Sequence, residues 1–525
     1  MNLANLVRRA ADRFPQGVAT ICGERRRDWF TVEGRIAQLA GALKNLGLAP
    51  GDRVALLALN SDRYLESLFA SMWADGVVVP MNIRWSVAEN LYSIEDSTPE
   101  VLLVDDIFLP HARAICEQTD QIKHVIYLGE SETPADLLGT KTLLDYETLL
   151  AEAEPLPMGE RGGDDLAGIF YTGGTTGFPK GVMLSHANLL HSALYGLPEF
   201  DLDNEGVYLH AAPMFHLADG SQGVGVTLAG ATHAFIPAFD PEATLRAIDT
   251  YRVTNILLVP TMLQMLFDHP RFADYDISSL ELIVYGASPM PQALLERIMQ
   301  TIPEVQLVQG YGQTELAPIC TLLLPEDHQL DGPLAHRRSS VGRPAVGIEV
   351  KIVDDEIRRL PTGETGEIAV RGKNTMMGYW NKPEQTAATL VDGWVLTGDV
   401  GYFDEDGYLY LIDRVKDMII TGGENVFSVE VENALTSHPG VQMAAVIGIP
   451  SEEWGESVHG IVIADPDNTP TEEELIAHCK ERIAGYKCPK GITFRNEEFP
   501  LSGAGKVLKT ELRKPFWAGN TKGIN

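Results

Sequence analysis

In the stretch LAGIFYTGGTTGFPKGVMLSHANLLHSAL (residues 166–194), an apolar run breaks into a loop with little side-chain bulk, and a second apolar run follows. LAGIFYT reads as a buried strand, and GVMLSHANLLHSAL as a strand or a helix. Between them, Tyr171 to Gly181 holds four glycines and three threonines and ends in Pro179, Lys180 and Gly181. No core segment has this composition. Where Cβ atoms are missing, backbone N–H groups approach a ligand closely, and such nests of amides bind phosphate oxygens. Threonine hydroxyls add donors, and Lys180 adds a point charge. A flexible surface loop is the plainer reading of a Gly/Thr cluster. The strand leading into it favours a ligand site, because α/β proteins bind ligands at the C-terminal edges of their strands. The Walker pattern is absent, since Lys180 is followed by Gly181, and no G-x-G-x-x-G occurs in the loop.

Outward from this loop, short apolar runs alternate with amphipathic stretches. DRVALLALN (52–60) predicts a strand, DRYLESLFASMWADG (62–76) a helix ending near Gly76, and VVVPMN the next strand. TNILLVP with TMLQMLFDH, and LELIVYGAS with PQALLERIMQTI, repeat the alternation, which implies mostly parallel α/β layers. After about residue 340, segments such as VGIEVKIVDDEIRRLPTGETGEIAVRG and GYFDEDGYLYLIDR carry Asp-Gly and Thr-Gly turns and predict antiparallel hairpins. A last unit starts near residue 415. Its helix TPTEEELIAHCKERIAG is expected to be capped by Thr469, with Pro470 in the first turn, Glu472 completing a capping box and Gly485 as the stop.

Bulk properties narrow the function. The chain has 525 residues, of which 45% are hydrophobic, enough for several folding units. With 73 acidic against 41 basic residues, the net charge of −32 repels nucleic acid and anionic membrane surfaces. Cys22, Cys116, Cys320, Cys479 and Cys488 are spread without metal-ligand spacing, so reduced thiols in a cytoplasmic protein are expected. The start, MNLANLVRRAADRFPQ, has no apolar h-region, and no run approaches the ~18 apolar residues of a membrane helix.

Other glycine turns follow apolar runs. YGAS (285–288) is one, and LVQGYGQTE (307–315) is another, with Tyr311 suited to stack on a base and Glu315 to bind Mg²⁺ beside phosphate oxygens. In LTGDV (396–400), Asp399 follows a tight Thr-Gly turn and suits ribose hydroxyls; DRVKD lies at the domain boundary; LSGAGKVLK (501–509) sets Lys506 among small residues. Each alone is more often a plain turn or a solvated charge.

Together, YTGGTTGFPKG, APMFH, YGAS, QGYGQTE, TGD, DRVKD and GAGK resemble, in order and spacing, the adenylate-forming superfamily of acyl- and aryl-CoA synthetases, luciferase and adenylation domains. The likeness to bacterial fatty acyl-CoA synthetases is the strongest. The resemblance implies an α/β fold with an α+β C-terminal part. A large N-terminal domain of layered sheets and helices (1–413) includes a small antiparallel strand unit from 340. A hinge at 414–417 then leads to a mobile small domain (418–525). It implies ATP, Mg²⁺ and coenzyme A. Thr172, Gly173, Gly174, Thr175, Thr176, Gly177 and Lys180 would cradle the phosphates. Gly286, Ala287 and Ser288, with Gln309, Gly310, Tyr311 and Gly312, would hold adenine. Thr314 would touch the α-phosphate, Glu315 and Thr175 the metal, and Asp399 and Arg414 the ribose. Lys506 would be the mobile catalytic lysine, and Lys416 the pivot. The catalytic set is thus Lys506, Lys180, Glu315, Thr175, Arg414 and His216.

The implied chemistry explains these types. Two anions do not readily react, and a carboxylate oxygen leaves poorly. Moving AMP onto the acid makes that oxygen a good leaving group and expels pyrophosphate. Charge builds at the α-phosphorus, where amides, Mg²⁺ and a lysine stabilise it. A thiol then attacks the acyl carbon, and Lys506 must withdraw first. Gly422, Gly423 and Glu424 resemble the pantetheine tunnel of CoA ligases, and Lys487 suits a CoA phosphate. The acid would meet Phe215, His216, Leu217, Tyr285, Gly310, Leu316 and Pro318, a largely apolar lining with no cation for a second carboxylate. A medium- or long-chain fatty acid is expected. The alternatives are an aryl acid such as coumarate, ferulate or benzoate, and transfer to a separate carrier protein. A homodimer is compatible with all three.

Overall fold

The computed structural model describes residues 1–131, 141–173, 179–288, 290–414, 417–421, 424–451, 454–466, 468–501 and 507–517. Among these residues the strands build four sheets, of nine, eight, five and five strands. The nine-stranded sheet has a parallel centre running through Val18–Cys22, Thr232–Phe235, Val207–His210, Asn255–Leu258, Leu282–Gly286 and Gln306–Gly312, with antiparallel strands at both ends. These central strands are buried nearly throughout, as sheets covered by helices on both faces require. The eight-stranded sheet is likewise parallel from His124–Tyr127 through Val101–Val104, Arg53–Leu57 and Val77–Pro80 to Leu166–Thr172.

The opening stretch lies at the antiparallel end of that second sheet. Leu166–Thr172 pairs with Lys180–Ser185, register Thr172↔Lys180, so the glycine-rich segment is the connection of a hairpin. The second run is strand and helix in turn: the helix His186–Gly196 begins at once, capped by Ser185 in a reciprocal box with Asn188. The helix Leu217–Ala229 packs beside it, with His216 as its N-cap.

The hairpins expected after residue 340 form a five-stranded sheet, in which Ile348–Val353, Gly366–Gly372, Trp394–Phe403 and Leu409–Arg414 are antiparallel neighbours. Two short strands depart from the expected separate unit. Arg343–Pro344 joins the nine-stranded sheet, and Gly378–Tyr379 joins the eight-stranded sheet against Met183 and Val182. The Thr-Gly turn before Asp399 is a bulge inside the ten-residue strand Trp394–Phe403: Gly398 stands at φ +71°, and residues 397–399 face a single residue of Gly366–Gly372.

The last sheet, from Ile419–Thr421 to Gly491–Phe494, has its own apolar core around Val431, Leu435, Val462 and Leu475. Its well-signed helix runs Glu472–Lys480, and the cap is Thr471 with Glu474, two residues later than expected. Thr469 spends its hydroxyl on the Asp465 carbonyl (3.0 Å), and the helix stops before Gly485. All five cysteines are free thiols. Burial pushes each above the ordinary thiol value, Cys22 and Cys479 to about 11. No helix among the described residues is long and apolar enough to cross a membrane.

Candidate active site

The C-terminal ends of Leu282–Gly286 and Gln306–Gly312 open into a cleft of about 2830 Å³. Their register sets Tyr285 beside Gln309 and Gly286 beside Gly310. A Cβ on Gly286 would lie 2.1 Å from the Gly310 carbonyl oxygen, and one on Gly312 would lie 1.7 Å from that of Pro318. Both glycines therefore follow from close backbone approach, and they leave bare backbone at the cleft floor. Ala287 continues in the left-handed region (φ 66°), which turns Ser288 along the cleft wall. This bare floor lies where the sequence reading expects the base and phosphates of a nucleotide.

The segment expected to hold adenine is joined to the carboxylate expected to hold ribose. Tyr311 donates its hydroxyl to Asp399 Oδ2 at 2.7 Å. Burial, then Asp399, pushes the Tyr311 phenol well above its ordinary value, so it stays a donor. The Asp399 N–H donates to Thr397 Oγ1, and the Gly398 N–H to Glu367 Oε1. Strand pairing places Arg414 opposite Asp399. The Arg414 side chain lies outside the described residues, as do Gly174, Thr175, Thr176 and Gly177.

Sequence reasoning missed Tyr379. Its hydroxyl donates to Glu315 Oε1 at 2.7 Å, and Lys180 Nζ lies 5.0 Å from its ring centroid. The Gly378–Tyr379 strand beside Lys180–Ser185 makes this possible. One ring thus stands between the Lys180 ammonium and the Glu315 carboxylate. Among the described residues, Glu315 Oε2 makes no hydrogen bond. Burial, then Glu315, raises the Tyr379 phenol, which keeps its proton on the shared edge. Thr314 is buried beside Glu315 and lines the cleft.

Phe215, His216, Leu217, Tyr285, Gly310 and Pro318 all line the cleft, as expected for the acid site. Leu316 does not. It is fully buried in the core, and its carbonyl accepts from Asn374, so it supports the wall from behind. His216 Nδ1 accepts from the Ala218 N–H at 3.2 Å, which in the neutral ring leaves the proton on Nε2. Tyr285 is hydrogen-bonded to His328 Nε2 at 2.9 Å. Phe200, Val284 and Ile319 complete the apolar wall, and the amide of Gln222 is set among them. None of the four belongs to a motif, so periodicity alone marks them as core.

Lys506, Lys416, Gly422 and Gly423 lie outside the described residues, as does the Glu424 side chain. Leu501 and Val507, which flank the Lys506 segment, form an antiparallel bridge and both line the cleft. Lys487 is paired with Glu430, its Nζ at 2.8 and 2.7 Å from the two carboxylate oxygens, and it is not on the cleft wall. Contact with a CoA phosphate would require that pair to open.

Glycine-lined sheet ends, Asp399 tied to Tyr311, and Lys180 and Glu315 on either side of Tyr379 are the arrangement expected of the AMP-forming acid–thiol ligases. The chain belongs to the AMP-binding enzyme family: that family's model matches residues 7–380, and the model of the AMP-binding enzyme C-terminal domain matches residues 430–506. ATP, Mg²⁺ and CoA are the co-substrates and metal of this acyl-CoA synthetase class. The chain is 39% identical to a feruloyl-CoA synthase of Amycolatopsis over 510 residues, covering 97% of this chain and 98% of that one. It is 36% identical to a long-chain-fatty-acid–CoA ligase of Mycobacterium tuberculosis over 479 residues, 91% of each. An anthranilate CoA ligase, solved with anthranoyl-AMP, superposes with a TM-score of 0.88 at 27% identity, covering 98% of this chain and 97% of that one.

Proposed function

We propose that the protein joins an aromatic carboxylic acid to CoA through an acyl adenylate. The acid and ATP give acyl-AMP and pyrophosphate; the CoA thiolate then displaces AMP at the acyl carbon. The observation that carries the choice of acid is the shape of the apolar chamber. Phe200, Gln222, Val284 and Ile319 line both the chamber and a neighbouring space of only about 20 Å³, so little room lies beyond them. This favours a short, flat acid over a long chain threaded past these side chains. The 39% likeness to a feruloyl-CoA synthase supports the same reading. A medium- or long-chain fatty acid is the second reading. It is favoured by a cleft wall that continues along Leu257, Thr261 and the exposed Met265, and by the 36% likeness to a fatty-acid ligase.

In this reading Glu315 Oε2 would hold Mg²⁺, which supplies charge neutralisation at the phosphates. Tyr379 fixes the Glu315 carboxylate by donating to Oε1. Lys180 faces the phosphates, Asp399 takes the ribose hydroxyls, and His216 orients the acid. Lys506 serves the first step from the small domain (418–525), which turns about 414–417 before thiol attack. Cytoplasmic placement is part of the proposal and is supported by the five free thiols.

The test is release of AMP and pyrophosphate with ATP, Mg²⁺ and CoA across acids from acetate to palmitate, with benzoate, cinnamate and ferulate. Aromatic acids should give the highest kcat/KM. Palmitate in first place would transfer the assignment to fatty acids, and release of ADP would reject the class of reaction.

A further inference from the structure

Behind the acid chamber, the small cavity of about 20 Å³ is walled by the helices His186–Gly196 and Leu217–Ala229. It shares Phe200, Gln222, Val284 and Ile319 with the main cleft, so the two spaces are neighbours through one partition. Its volume suits one water-sized group. Most of the wall is apolar, yet three polar side chains reach it with unmet hydrogen-bonding capacity. Ser192 is 0% exposed and its Oγ has no partner. Ser221 and Gln222 are 7% and 8% exposed, and neither side chain makes a hydrogen bond among the described residues. The other polar groups on this wall are committed: Tyr208 donates to Asp219, and Asn255 donates to the Phe200 carbonyl. Buried polar atoms are nearly always paired in a folded protein, so the unpaired Ser192 hydroxyl, with the Ser221 and Gln222 side chains beside it on a hole that fits a single group, points to a missing partner.

We infer that this rear cavity is a subsite for a hydroxyl at the far end of the acid's ring, held by Ser192, Ser221 and Gln222. The inference rests on the aromatic-acid reading and narrows it to ring-hydroxylated acids. Gln222 lies at the partition and lines both spaces, so its amide meets the ring edge while the serines meet the hydroxyl. An acid without the hydroxyl leaves the three groups unpaired, and a site built this way discriminates against it.

Gly225 supplies a second handle. It lines the cavity, and a Cβ there would meet nothing within 4 Å. Gly225→Ala therefore fills the hole without a clash, and within a helix it favours folding.

The experiment compares kcat/KM for 4-hydroxycinnamate and cinnamate in the wild type, Ser192→Ala and Gly225→Ala, with thermal unfolding of each protein. The wild type should prefer the hydroxylated acid by about tenfold or more, and each variant should lower that ratio by at least about threefold, the scale of one or two neutral hydrogen bonds. Both variants should unfold no earlier than the wild type, because one removes an unpaired buried hydroxyl and the other a helical glycine. A wild-type ratio near one, or a ratio that neither variant changes, overturns the subsite. If no acid of any kind releases AMP and pyrophosphate, the ligase reading itself fails, which is a different outcome.

Discussion

Tyr379 carries two contacts at once, its ring facing Lys180 and its hydroxyl facing Glu315. Tyr379→Phe keeps the first and removes the second. We expect kcat/KM for adenylation to fall about tenfold, the worth of a hydrogen bond to a charged group, with a higher Mg²⁺ requirement. An unchanged Mg²⁺ titration would show that the tyrosine does not set the carboxylate. His186 makes a separate expectation about pH. Its Nδ1 accepts from the Leu3 N–H, its Nε2 has no partner, and burial first, then Arg161, holds it down to about 4. Above its ordinary value of 6.5 the ring is neutral whether the chain is folded or not. As pH falls from there, the unfolded chain takes up a proton that the native state refuses. Stability is therefore lost on acidification, by up to about 1.4 kcal/mol per pH unit from this group. His186→Gln should flatten the difference in urea midpoint between pH 7 and pH 5; an equal difference in both proteins would refute this. At this scale Lys180, Glu315 and Asp399 were legible because each sits in a motif. Tyr379 was not, because a two-residue strand carries no pattern and only its pairing with Val182 brings it to the site.

The helix Glu472–Lys480 shows what a local signature can and cannot decide. Thr469-x-x-Glu472 and Thr471-x-x-Glu474 both match a capping box. The choice depends on where Thr469 finds a better acceptor, and the Asp465 carbonyl lies in the preceding loop. Thr471→Ala should cost about 1 kcal/mol, while Thr469→Ala should stay within about 0.5 kcal/mol. Denaturant unfolding of the two variants checks this, and equal losses would contradict the assignment. Strands flanked by turn residues were legible for the same reason that caps are: the signal is local. Asp399 was placed after a turn because Thr-Gly usually makes one. The turn is there, but as a bulge, because pairing with Gly366–Gly372 and Leu409–Arg414 resumes on either side of it and carries the strand through.

For the whole molecule, the sequence announced parallel layers and a separate C-terminal core, both of which come from repeated apolar runs. It could not order the sheets. Val18–Cys22 pairs with Thr232–Phe235, setting Thr20 beside His233 far along the chain, and no local signal encodes such a neighbour. The mobile-domain proposal belongs to this scale. Lys506→Ala should remove most adenylation yet spare transfer from preformed acyl-AMP to CoA. Lys416→Pro, which stiffens the boundary, should slow the transfer more than the first step. Single-turnover assays of each half-reaction distinguish the two, and equal losses in both steps would argue against rotation.

The thiols, four of the five buried, have a practical corollary. A sulfhydryl held far above neutral pH carries almost no thiolate at pH 7.5, so it is a poor nucleophile toward aromatic disulfide dyes. Coenzyme A, by contrast, presents an open one. Its disappearance can therefore be followed by colour in samples drawn from the reaction, against a low protein background, and the same dye added to the protein during heating would report the moment its interior opens.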